Sequence, residues 1–165
     1  HDHVTLPKAI HSGLFDVVMV AFHLLHQNAR DSVFPLTQAH GVATLLMFAV
    51  RLIFSQPERL QATLTELVRC GQLPASLLDE QALLGFLKGQ PGSLGIIDAA
   101  YRYARHEPGV DVVLFGTGNI EHLQTNIQSI LAGPLPPATL DWVRERFGHL
   151  VGVGLDAPNS AAPKG

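Results

Sequence analysis

One cysteine in 165 residues, Cys70, excludes a disulfide framework and a cysteine-based metal site. Charge is scarce as well: 15% of the residues are Asp, Glu, Lys or Arg, against a usual fraction of about 25%. A net charge of −3 with no cluster of Lys and Arg leaves no electrostatic footprint for nucleic acid. No apolar run reaches the roughly 18 residues that cross a bilayer; Arg51 interrupts the longest, Val42 to Phe54. The N-terminus, His1-Asp2-His3, carries neither an initiator Met nor the basic-then-apolar layout of a secretion signal. We therefore expect a cytoplasmic, reducing location, and the missing Met points to a fragment of a longer chain. The GxSxG nucleophile elbow and the HExxH zinc helix are also absent, so neither triad hydrolysis nor zinc proteolysis is expected.

What is present is apolar. Hydrophobic residues make up 47% of the chain, a composition that predicts surfaces meant to meet more protein. We read one domain over residues 1–155 and a disordered tail over 156–165, rich in Ala, Pro, Ser and Asn. Phe15 to Phe22 and Val42 to Phe48 read as strands buried on both faces, as parallel sheets require. Helices are expected over Asp31–Ala39 with Gly41 past the end, from Pro57 to a stop at Gly71, and over Leu94–Arg105 capped by Ser93. A weaker helix is expected over Asp79–Leu87, and a last one over Thr139–Phe147 before Gly148. Cys70 falls at a helix end on an apolar face and reads as a buried, inert thiol. The nine histidines lack an acidic ligand cluster and read as satisfied or solvated side chains. His23 lies nearest a site, because it follows the C-terminal end of a strand.

The richest segment runs from Val112 to Asn126. Val112-Val113-Leu114-Phe115 reads as a third buried strand, Gly116-Thr117-Gly118 as a turn, and Asn119 as the N-cap of a helix carrying Leu123, Ile127, Ile130 and Leu131. A Gly-rich strand-to-helix turn leaves backbone N–H groups at the positive end of a helix, where an anion is stabilised. Its spacing is neither a Walker loop nor a GxGxxG fingerprint. The alternation of strands and helices predicts parallel β/α units. Three strands are too few to close an eight-stranded barrel, which takes about 250 residues.

From Gly13 to Asn126 the chain resembles the C-terminal half of an aldo/keto reductase, a (β/α)8-barrel oxidoreductase. Phe15-Asp16-Val17-Val18-Met19-Val20 is similar to the family's sixth strand, often FDVVQV. Gly41-Val42-Ala43-Thr44-Leu45-Leu46-Met47 is similar to the turn and seventh strand. Gly116 to Asn126 matches the pattern G-T-x-x-x-x-x-L-x-x-N that follows the eighth. The resemblance implies an α/β fold, a partial TIM barrel of about three parallel strands with flanking helices, and NADP or NAD as cofactor.

It further implies that Gly116, Thr117, Gly118 and Asn119 surround the phosphate of the adenosine half, with Asn126 at the adenine edge. His122 falls where many members have an Arg for adenine or the 2′-phosphate. Thr125 and Gly116 replace a common acidic residue and a Lys, leaving NADP against NAD open. Met19 takes the place of the Gln at the nicotinamide carboxamide, and Met47 or Phe48 falls near the aromatic that stacks on the nicotinamide. The family's catalytic Asp, Tyr, Lys and His belong to its first four strands, which are not in this chain, and neither Tyr101 nor Tyr103 inherits the role.

The expected function is thus the cofactor-binding portion of a carbonyl or alcohol oxidoreductase, inactive alone. Its partners would be a nicotinamide cofactor and a small carbonyl substrate in the intact protein, with no nucleic acid and no membrane. The alternative is a non-enzymatic truncated barrel or binding module that self-associates through open sheet edges.

Overall fold

Three apolar segments become parallel strands in a computed structural model that describes residues 5–78 and 95–155. They are β1 (Val17–Ala21), β2 (Ala43–Met47) and β3 (Val112–Val113), side by side in chain order. Val17 pairs with Ala43 and Met19 with Leu45, and Leu45 in turn pairs with Val112. Helix α1 (Thr5–His11) precedes β1. Helices α2 (Ala29–Ser32) and α3 (Phe34–His40) connect β1 to β2. Helices α4 (Leu52–Ser55), α5 (Pro57–Arg69) and α6 (Ile96–Arg105) lie between β2 and β3, and α7 (Ile120–Leu131) and α8 (Pro137–Phe147) follow. The architecture is α/β, as expected for part of a TIM barrel. The expected helix over 79–87, the Ser93 cap, the 156–165 tail and His1 and His3 lie outside the described residues.

Local chemistry explains the boundaries. The single helix expected over 31–39 is two, broken at Val33 (φ −122°, ψ −54°), because Pro35 lacks an N–H and its ring crowds the preceding turn. Gly41 ends α3 in the left-handed conformation, at φ 66°. Pro57 opens α5, whose Leu60, Leu64 and Leu67 are buried. The third strand is shorter than its apolar run. Leu114 still donates to the Leu46 carbonyl at 2.8 Å, after which the chain turns away. Gly109, just before it, is required twice over: its φ is +92°, and a Cβ there would lie 2.7 Å from Phe34 Cβ.

Burial departs from the sequence reading in one respect that matters. The strands are covered on one face, and the other is largely bare apart from the buried Ala21 at the end of β1. Val18, Val20, Thr44, Leu46 and Val113 are buried against the helices, with Phe22, Phe34, Tyr103 and Val143 in the same core. On the other face Met19 is 49% exposed and Val112 46%, and Leu45 between them is half-buried. The apolar stripe of α7 is also uncovered: Ile120, Leu123, Ile127 and Leu131 are exposed, and only Ile130 packs on the core. Among the described residues nothing covers these side chains.

A polar network is buried beside Phe22. Arg30 Nε and Nη2 donate to Glu107 Oε1 and Oε2 at 2.6 and 2.7 Å, and Nη2 also donates to the Tyr103 hydroxyl at 2.6 Å. Nη1 donates to Gln27 Oε1 at 2.7 Å, and Arg144 approaches Glu107 at 3.6 Å. The Arg30 guanidinium lies 5.4 Å from the Phe22 ring centre. Burial pushes the Tyr103 phenol up to about 12. The network ties α2 to the end of α6 and to α8.

Candidate functional site

At the C-terminal end of the strands, α4, α6, the turn after β3 and α7 enclose a cavity of about 480 Å³. That volume falls within the roughly 300–1,000 Å³ of small-molecule sites. Gly116, Thr117, His122 and Asn126 all line it, with Thr125 between the last two. Gly118 and Asn119 lie on the same turn but outside the lining, and Met19 stands apart on the bare sheet face.

The turn has a definite hydrogen-bond economy. Asn119 is the helix cap: its Oδ1 accepts from the N–H groups of Glu121 (2.8 Å) and His122 (3.2 Å). The Asn119 N–H donates to Thr117 Oγ1 at 3.1 Å, so the Thr117 hydroxyl keeps its own proton to donate. The N–H groups of Gly116, Thr117 and Gly118 donate to no acceptor among the described residues. Neither glycine has a left-handed φ, and a Cβ at either would meet nothing within 4 Å. The fold alone does not demand glycine there; bare backbone allows close approach by a ligand. Asn126 is half-buried, and its amide finds no partner among the described residues.

Sequence reading did not find the other walls. Ile97 and Tyr101 come from α6, and Leu52 and Ser55 from α4. No local signal marks them, because only the fold brings these helices to the turn. Burial raises the Tyr101 phenol above its ordinary value, and its ring meets Phe115 edge-on at 6.0 Å. Asp98, also in the lining, is ion-paired to Arg102 at 3.3 Å. Phe48 packs against Arg51. Directly after β2, Phe48 has φ 70°, a strained conformation for an aromatic that costs on the order of 1–3 kcal/mol. Its ring lies 4.2 Å from the Arg51 guanidinium carbon, and Arg51 lines the cavity.

Cys70 is exposed, contrary to the sequence reading, and its thiol donates to Glu66 Oε1 at 3.2 Å. That bond, more than its slight burial, raises the thiol above its ordinary value. Among the described residues no group of three His, Cys, Asp or Glu side chains could hold a metal ion. No described helix is long and apolar enough to cross a membrane.

His23 and His26 are buried fasteners on the turn after β1, where their backbones pair at 3.0 and 2.9 Å. His23 Nδ1 accepts from the Leu25 N–H at 3.2 Å, and His26 Nδ1 from the Gly152 N–H at 3.0 Å. Burial first, then the charges of His26 and Arg51, lowers the His23 imidazole from 6.5 to about 3. The unfolded chain therefore binds the proton more tightly than the folded one. The stabilisation is full above pH 6.5 and drains away as pH falls toward 3. Between pH 7 and pH 4.5 this residue alone should cost about 2–3 kcal/mol, at about 1.4 kcal/mol per unit. Urea unfolding across that range should show the loss, and His23→Gln should flatten the slope; an unchanged slope would mean His23 titrates normally.

No family model and no curated protein matches the chain. Among solved structures it is similar to the aldo-keto reductase AKR11C1 from Bacillus halodurans. With the holo form it shares 17% identity at a TM-score of 0.57, over 93% of this chain and 50% of that one. With the apo form the identity is 17% and the TM-score 0.58, over 93% and 51%. The chain thus spans about half the length of the structures it matches. At that identity the likeness speaks to the fold, and the fold of this chain is that of a partial aldo/keto reductase barrel.

Proposed function

We propose that the chain is the nucleotide-binding portion of an NAD(P)-dependent aldo/keto reductase-like oxidoreductase acting on a small carbonyl or alcohol. The observation that carries this reading is the convergence of Gly116, Thr117, His122 and Asn126 on one cavity at the C-terminal ends of the strands, the end where barrel enzymes build their sites. The residues present fit the adenosine-phosphate half of such a cofactor: unsatisfied N–H groups for phosphate, a hydroxyl with a spare proton, and an amide for a base edge. When bound, the cofactor would supply a hydride for a carbonyl carbon. The chain's own work is to bind, orient and exclude water; the carbonyl's proton donor would come from the other half of the barrel, so the chain alone would be inactive.

Titration of NADPH and NADH fluorescence against the chain tests the reading. Asn126→Ala should weaken both by about 1–3 kcal/mol by stranding a hydrogen-bond partner. His122→Arg should favour NADPH over NADH, because a permanent charge meets the 2′-phosphate. Wild-type affinities in both variants would reduce the turn to a helix start. The bare sheet face favours a second reading, a non-enzymatic truncated barrel that associates, and failure to bind either cofactor would leave it standing.

A further inference from the structure

His11 and His40 are the last residues of α1 and α3. Each stands just ahead of a left-handed glycine, Gly13 (φ 67°) and Gly41 (φ 66°), that turns the chain out of its helix. Ile10 of α1 and Phe34 of α3 are buried in the common core. The two imidazoles are exposed and meet edge to face, with ring centres 5.0 Å apart. His11 Nδ1 lies 2.7 Å from the Pro7 carbonyl oxygen. A carbonyl only accepts, so Nδ1 carries the proton and Nε2 of the neutral ring keeps its lone pair. Metal-bound histidines are held in the same way, one nitrogen anchored to a carbonyl and the other left to ligate. The ring nitrogens of His40 have no hydrogen-bond partner among the described residues.

We propose that His11 and His40 form a surface site for a zinc-type divalent ion, which clips α1 to α3. Imidazole nitrogen is a preferred donor for such ions. Two protein ligands are fewer than a structural zinc site uses, so water completes the coordination. Both rings lie in solvent, and turning them to aim two lone pairs at one ion unpacks nothing. The clip has something to hold, because Ile10 is the one buried residue of α1 and Leu6 adds a partly buried contact. Neither histidine lines the cavity at the strand ends, so the site stands or falls independently of the nucleotide reading.

The experiment is calorimetric titration of the chain with zinc chloride, with thermal unfolding followed at the same zinc concentrations. Wild type should show a site that His11→Gln and His40→Gln each weaken at least tenfold. An ion held across two helices binds the folded chain in preference to the unfolded one. Zinc should therefore raise the melting temperature of wild type and leave that of both variants nearly unchanged. The readout is the increment on adding zinc, so a variant that is itself less stable still reports. Zinc taken up by the remaining histidines is common to all three proteins and cancels in the comparison. Equal zinc affinity in wild type and either variant would overturn the proposal. So would tight wild-type binding with no rise in melting temperature, which would place the ion on one segment alone, and so would a wild type that bound no zinc.

Discussion

Glu107→Ala is expected to destabilise the chain by about 3–5 kcal/mol, the cost of leaving a buried charge without its partner. Arg30 would lose both carboxylate bonds while held beside the stacked rings of Phe22 and Tyr103, with only 20% of its side chain in solvent. Tyr103 and Gln27 offer it neutral acceptors but no charge. Since domains are stable by only about 5–15 kcal/mol, the variant should melt far below wild type. Glu107→Gln, which keeps the shape and an acceptor, should lose less. Urea or thermal unfolding decides it, and a loss below about 1 kcal/mol in the alanine variant would place this pair with ordinary surface ion pairs.

The second large effect concerns assembly. Met19, Leu45 and Val112 form a continuous apolar row across three strands, and among the described residues β1 and β3 each present an unpaired edge. Such a surface should draw the purified chain into larger species. Analytical ultracentrifugation without detergent should find little monomer. Placing lysine at both Met19 and Val112 should shift the population toward monomer, because neither ammonium can be buried cheaply in an apolar contact. A compact wild-type monomer that unfolds cooperatively would show that the exposed row is tolerated as it stands.

The parallel pairing was legible from the alternation of strands and helices, and most helix limits because each rests on local chemistry. Pro57 and Gly41 mark turns of the chain wherever they occur, and Asn119 caps α7 through its own side chain. The break at Val33 was equally local, and Pro35 was the sign of it. The turn and helix start from Gly116 to Asn126 were readable because their residues are continuous in sequence. Tyr101 and Ile97 were not, because nothing around them records which turn they will face. Burial was misread for one reason: hydrophobicity reports that a residue needs cover, and is silent on which chain provides it. Cys70 erred the other way, an apolar-looking position that the end of α5 leaves in water.

The uncovered stripe of α7 bears on how an assembly would end. Ile120 and Leu131 are 69% and 79% exposed, and they belong to a helix, whereas the other bare surface is a sheet. A contact that joins each patch to its own twin is closed by a two-fold axis and stops at a pair. A contact that joins helix to sheet is heterologous, and unless its rotation happens to close a ring, every added copy leaves a fresh patch for the next. The first predicts a plateau in mass with rising concentration; the second predicts growth without one, toward fibres.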